Sequence, residues 1–151
     1  CDDITWFREV DTCKIRGKDG YQYEPCWIHP EDAAARGIEY GDIVKVENER
    51  GTILCAAYVT ERVMPQSIMV SKGSHSDPIA PHLDRGGSVN LISPDAPISS
   101  KCHGFVVSGY LVECSKVEDA EMEQWKKDYP DAFERPYDPD TGLTYESWVV
   151  E

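Results

Sequence analysis

The sequence predicts a mainly β, closed domain, and three observations carry that expectation. Short apolar runs are bounded by turn residues, one brief helix falls between them, and long loops bearing Gly and Pro cross from run to run. A chain of 151 residues is one domain by length and is large enough for a real core. Taken in order, Lys14-Ile15-Arg16 before Gly17 predicts a lead-in strand within residues 1–22, running into a Gly-rich turn at 17–20. Residues 23–51 follow with dense local punctuation. His29 and Pro30 open a short helix, because proline suits a first helical position whose N–H has no partner in any case. Glu31 and Asp32 face the positive end of its dipole, and Ala33, Ala34 and Ala35 propagate it. Gly37 is placed to cap it in a left-handed conformation, and Gly41-Asp42 turns the chain into a strand alternating Val44 and Val46 with Lys45 and Glu47. Residues 48–51 form the hairpin turn into a second strand over 52–59.

Beyond Pro65 a strand is expected at 68–70, then a long loop over 71–88 with three Gly, two Pro and two His and no periodicity. Loops of that length inside a small domain are commonly functional. A short strand at 89–92, a second loop over 93–103 and a closing strand over 105–114 complete the β part. Residues after 116 change character. Val117, Met122, Trp125 and Tyr129 fall near helical spacing, with acids early and Lys126-Lys127 late, which predicts a helix from about 118 to 128 ended by Pro130. The tail over 131–151 keeps Phe133, Tyr137, Tyr145 and Trp148, a density that suits packing on the β part or on a neighbouring domain. The expected division is therefore 1–116 and 117–151.

Composition excludes several classes. The net charge is −13, yet residues 60–116 are neutral, with five acids and five bases, so an anionic ligand is repelled least by the stretch holding Lys72, Arg85 and Lys101. Nucleic-acid binding needs a basic face that this balance does not provide. No apolar run approaches the roughly 20 residues of a membrane span. Six cysteines without a C-x-x-C pair give neither a zinc nor an iron–sulfur ligand set. Free thiols in a reducing, cytoplasmic setting are expected, with export of a folded enzyme by the twin-arginine route giving the same picture. No nucleophile elbow, P-loop or G-x-G-x-x-G after a strand is present, so no catalytic residue is assigned.

The pattern W-I-x-P-x-D-A-x-x-R-G-I-x-x-G-D-x-V-x-V-x-N-x-R-G over 27–51, the block Val63-Met64-Pro65-Gln66-Ser67-Ile68 and the block Val89-Asn90-Leu91-Ile92-Ser93-Pro94-Asp95 together resemble the C-terminal domain that binds molybdopterin guanine dinucleotide in the DMSO reductase family of molybdenum and tungsten enzymes. Within the family, the blocks at 6–9, 20–25 and 108–113 are most similar to the branch of pyrogallol-phloroglucinol transhydroxylase large subunits. The resemblance implies a six-stranded double-psi β-barrel with short helices and a C-terminal helix plus tail. It also implies that the chain, which starts at Cys1, is a piece of a longer catalytic subunit whose cluster-binding and substrate-binding parts and metal ligand lie upstream. An iron–sulfur electron-transfer subunit is a further implied partner. The isolated domain is expected to hold the cofactor weakly or not at all.

A pterin dinucleotide presents ring donors and acceptors, a pyrophosphate and a guanosine, and calls for close backbone approach with a few amide, hydroxyl and basic groups. Lys72, Gly73, Ser74 and His75 offer such a set after a buried strand, and Arg85, Gly86 and Gly87 offer another that runs into Asn90. By resemblance Asn90 matches the family asparagine that bonds the pterin or its phosphate, with Ser93 and Asp95 in the same motif. Without the resemblance Asn90 reads equally as a turn residue bonding its own backbone. Arg85 is balanced between a phosphate ligand and a surface salt bridge. Ser108 and Gly109 stand where the family commonly has a basic or aromatic pterin contact, a departure from its pattern. His75 and His82 lack metal-ligand spacing, and Arg36 and Arg50 are assigned to helix-end pairing and turn solvation. The competing expectation, from another class, is a double-psi barrel protein-interaction module with no cofactor.

Overall fold

The computed structural model describes residues 13–105 and 108–134. The expected lead-in strand is two residues long there, β1 (Ile15–Arg16), and pairs with β2 (Gln22–Tyr23) across a turn in which Gly20 has φ 85°. The rest of the 1–12 segment and the aromatic tail from 135 onward lie outside the described residues. The main sheet is built from β3 (Pro25–Ile28), β4 (Ile43–Asn48), β5 (Gly51–Val59), β6 (Ile68–Val70), β7 (Pro78–Ala80), β8 (Leu83–Asp84) and β11 (Glu113–Lys116), in the order β11-β4-β5-β3-β6, with β8 joining β5 and β7. A separate pair links β9 (Pro97–Ser99) to β10 (Cys102–Phe105). The mainly β class is met.

β5 is the axis of this sheet. It pairs antiparallel with β4 from Gly51 to Ala56, parallel with β3 at Ala56 to Val59, and parallel with β8 at Thr52 and Ile53. Its run from Ile53 to Ala57 is fully buried, because both faces are covered. Period-two alternation sends Ile53, Cys55 and Ala57 to a core shared with Cys26, Ile28, Val44, Val46, Ile92 and Cys114. Leu54 and Ala56 point the other way, to Tyr21, Tyr23, Ile79, Val117, Met122 and Ala132.

The helix of the dense N-terminal motif is α1 (Pro30–Ala35), with His29 Nδ1 accepting from the Glu31 N–H at 3.3 Å and Gly37 at φ 63°. Arg36 closes it and donates from Nε to the Cys114 carbonyl at 3.0 Å, tying the helix end to β11. The C-terminal helix α2 (Asp119–Asp128) falls where its spacing places it, and Lys45 Nζ to Glu121 at 2.7 Å fastens it to β4. Pro130 ends that helix and begins another, α3 (Pro130–Phe133), since a proline that stops one helix also fits the first turn of the next.

Four expectations fail for identifiable reasons. Residues 89–92 form no strand; Val89–Leu91 is a 3₁₀ turn, drawn in by Ser93, whose N–H and Oγ both donate to the Val89 carbonyl, at 3.0 and 2.7 Å. The 71–88 stretch is no featureless loop, because its centre folds into the β7–β8 hairpin, whose strands are too short to display a period. The closing strand over 105–114 is broken: β10 ends at Phe105, Gly109 takes φ 79°, and β11 starts at Glu113. The 93–103 loop likewise holds β9 and the start of β10.

Asp42, buried beside Gly41, fixes the entry to β4. Its Oδ2 accepts from the Glu39 N–H at 2.8 Å and from Lys116 Nζ at 2.7 Å. Burial pushes its pKa up, but the hydrogen bonds from Lys116 and Glu39 outweigh that and hold it below the ordinary aspartate range. A lowered folded-state pKa contributes stability that is present above the unfolded value and lost as pH falls through the folded one. Unfolding titrations at stepped pH should show Asp42→Asn losing stability at neutral pH and shedding part of the acid-limb dependence, with the two proteins converging at the lowest pH.

Candidate functional site

The two glycine loops expected to bind a ligand are packed against each other. Ser74 Oγ donates to the Gly86 carbonyl. A Cβ built on Gly86 would lie 2.0 Å from the His75 carbonyl oxygen, so only glycine allows the 72–76 backbone to lie this close to 85–87. Gly87 is held at φ 74° with its Cα against Glu24, where an added Cβ would meet the Glu24 Cβ at 2.7 Å. Lys72 and His75 remain exposed on this pair of loops, while Gly73 and Ser74 are half-buried.

Underneath lies a buried polar frame that spacing alone did not reveal. The Asp84 carboxylate, 2% exposed, accepts from Ser76 Oγ at 2.7 Å, from the Asp77 N–H at 2.6 Å and from the Ser88 N–H at 2.8 Å, clasping both loops. Arg85 is buried too, and the salt bridge it makes lies in the interior and not at the surface. Its Nε and Nη2 donate to Asp77 Oδ2 at 3.2 and 3.0 Å, Nη2 also reaches the Ala132 carbonyl, and the guanidinium lies over the Tyr21 and Phe133 rings at 4.2 and 5.0 Å. Burial works against its charge, but Asp77 holds its pKa above the ordinary arginine value. The group therefore ties the second loop to the C-terminal helices. The only available cue was the pair Asp77-Pro78 and Asp84-Arg85, acids beside turn signals in a neutral segment.

Asn90 is exposed at the end of the second loop, on the 3₁₀ turn. Its neighbours are fixed: Leu91 packs over Gly51, where an added Cβ would meet Leu91 Cγ at 2.8 Å, and the Ile92 carbonyl accepts from Asn48 Nδ2 at 2.8 Å. Ser93, half-buried, places Oγ 3.2 Å from Tyr110 Oη, which brings the Asn90 motif to the 108–112 segment. Tyr110 and Gly109 in turn line a cleft of ≈ 610 Å³ shared with Asp32, Arg36, Gln66 and Ser67. Ser108 and Asp95 are exposed. The candidate residues thus gather as two adjoining sets, 72–75 with 86–87, and 90–93 with 108–110. Tyr110, Asp84 and Gly51 are the additions made by the structure.

His75 and His82 do not converge: His82 Nδ1 lies 3.0 Å from the Arg50 carbonyl, and among the described residues no three of His, Cys, Asp and Glu gather as metal ligands. Nor is any described helix long and apolar enough to cross a membrane.

A rigid β frame presenting exposed amide, hydroxyl and ammonium groups on glycine loops defines a binding domain. The comparisons with known proteins say which kind. The sequence model described as "Molydopterin dinucleotide binding domain" matches residues 9–105. A dimethyl sulfoxide/trimethylamine N-oxide reductase of Cereibacter sphaeroides is 42% identical over 98 residues, covering 62% of this chain and 12% of its own. A trimethylamine-N-oxide reductase of Haemophilus influenzae is 36% identical over 98 residues, covering the same shares. The pyrogallol hydroxytransferase large subunit of Pelobacter acidigallici is 36% identical over 102 residues, 65% of this chain and 12% of its own. The chain belongs to the molybdopterin dinucleotide-binding domains of the DMSO reductase family, and its matched part spans about an eighth of the length of these relatives.

Proposed function

We propose that this domain seats a molybdopterin guanine dinucleotide of a molybdenum or tungsten bis-pterin oxidoreductase, holding it with Lys72, Gly73, Ser74, His75, Gly86, Gly87, Asn90, Ser93, Asp95, Ser108 and Gly109. The observation that carries this reading is the packed loop pair, which runs through Ser88 into an exposed Asn90. The donor set suits the ligand. Lys72 supplies a cation for phosphate, Asn90 pairs an acceptor with two donors for a pterin or guanine edge, and Ser93 and Ser108 add hydroxyls. At Gly109 a Cβ would meet nothing within 4 Å, so space for a ligand lies open beside Tyr110. Arg85 and Asp84 serve beneath this seat, preserving loop geometry rather than touching the ligand.

The bound metal supplies redox or hydroxyl-transfer chemistry; the chain's own residues position the dinucleotide and exclude water. The upstream domains of the same catalytic subunit and an iron–sulfur electron-transfer subunit belong to the proposal as partners. So do the division at residue 116 and a cytoplasmic or twin-arginine-exported setting. The finer fold reading, a six-stranded double-psi barrel, is part of it as well. It is supported by two parallel pairings, β3 with β5 and β5 with β8, inside an otherwise antiparallel sheet, a mixture that interlocked crossings produce and a simple meander does not. Membership of a cofactor-binding family leaves the cofactor-free interaction module disfavoured.

Asn90→Ala in the full-length enzyme should weaken cofactor retention about tenfold, the scale of one or two hydrogen bonds. Guanine nucleotide released by acid from purified enzyme measures it. Undiminished loading would remove Asn90 from the seat.

A further inference from the structure

Three cysteines, Cys26, Cys55 and Cys114, share one buried core, and all are free thiols. They are not equivalent. Cys55 is fully buried in the middle of β5, and burial pushes its thiol well above the ordinary value, which marks it as an inert core residue. Cys114 sits on β11, 6% exposed, and lines the ≈ 610 Å³ cleft beside Arg36 and Tyr110. Cys26, on β3, is fully buried, and its side chain shares the core with that of Cys114 and interacts with it there. In the strand order β11-β4-β5-β3 these two strands are not neighbours, so the thiols meet across the core and not along a ladder.

We propose that Cys114 and Cys26 are a peroxide-oxidisable dithiol, in which Cys114 meets the oxidant from the cleft and Cys26 resolves it to a disulfide joining β11 to β3. The local chemistry favours that division of roles. Cys114 borders the cleft with the Arg36 guanidinium beside it, a cation that favours the thiolate, whereas Cys26 is sealed in the core. Cys114 is therefore the nucleophile and Cys26 the proton donor. In the first step the Cys114 thiolate attacks one oxygen of hydrogen peroxide; the O–O bond breaks, an S–O bond forms, and the departing hydroxide takes up a proton to become water. Cys114 is then a sulfenic acid. In the second step Cys26 sulfur attacks Cys114 sulfur, the S–O bond breaks, and the leaving oxygen takes the Cys26 proton to depart as a second water. Two thiols are oxidised by two electrons and one peroxide is reduced to two waters.

The test uses the full-length enzyme exposed to low hydrogen peroxide, then alkylated under denaturing conditions, digested and read by mass spectrometry. A reductant-sensitive peptide joining Cys26 to Cys114 should become the major product, with Cys55 fully alkylated in the same sample. Cys26→Ala should abolish the cross-link and leave Cys114 as a dimedone-reactive sulfenic acid, and Cys55→Ala should leave the cross-link intact. The proposal is overturned if Cys114 stays fully alkylatable while the half-buried Cys13 is oxidised, or if Cys26→Ala leaves no adduct on Cys114.

Discussion

Gly86→Ala is expected to separate the two ligand loops and to destabilise the domain by about 3 kcal/mol or more, beyond the usual range for overpacking. The added carbon would stand 2.0 Å from the His75 carbonyl oxygen and 2.9 Å from the Asp77 nitrogen, both backbone atoms of a segment already clasped by Asp84. No rotamer change relieves a clash with backbone. The contrast is Gly37→Ala, where a Cβ meets nothing within 4 Å but φ is 63°; its cost is backbone strain alone, about 1 to 2 kcal/mol. Chemical denaturation of the two variants should rank them in that order. In the full-length enzyme Gly86→Ala should also lose bound nucleotide, whereas Gly37→Ala should keep it. Equal destabilisation would mean that the 72–76 segment yields freely.

The second large effect is expected at Asp84. Removing the carboxylate in Asp84→Ala strands the Asp77 and Ser88 N–H groups in the interior and returns the exposed Ser76 hydroxyl to water, a loss of about 3 to 5 kcal/mol at 1 to 3 for each unmet buried group. Asp84→Asn is the informative partner. Its amide oxygen can replace Oδ1, which serves Ser76 and Asp77, while its NH₂ would face the Ser88 N–H. One contact is lost instead of three, so the Asn variant should fall roughly midway between wild type and Ala in unfolding free energy. An Asn variant as unstable as the Ala variant would show that the charge, not the bonding pattern, holds the loops.

How much of this was legible in the sequence depends on the range of the interaction responsible. The stretch from His29 to Gly51 reads correctly because its determinants are local: a cap two residues from its donor, a proline at the first helical position and a glycine with positive φ. The helix beginning at Asp119 reads for the same reason, its charges matching its own dipole. Val89-Asn90-Leu91 suggested a strand by composition, yet Asp84 anchors Ser88 and Ser93 bonds back to Val89, and these contacts override propensity. Arg85 could not be placed from its neighbours, since the rings that sandwich it come from Tyr21 and Phe133, near opposite ends of the described chain. Gly86 was expected to give a ligand close access to the backbone. Its close approach to His75 is a long-loop contact that no periodicity encodes. The candidate residues were therefore chosen by type and motif, while the frame that carries them could not be read that way.

The central position of β5 also governs the order in which the molecule can assemble. β3 and β4 are synthesised before it and β8 after it, and β11, which covers the outer edge of β4, comes near the end of the described chain with the helices that cover Leu54 and Ala56. On the ribosome the β4–β5 hairpin is complete long before its last neighbours emerge. In that interval β4 presents an open row of amides and carbonyls beside exposed aliphatic side chains, the arrangement most prone to wrong pairing with another nascent chain. A polypeptide interrupted before Glu113 would carry that edge permanently, so proteolytic trimming at this end should turn the folded domain into an aggregation-prone one.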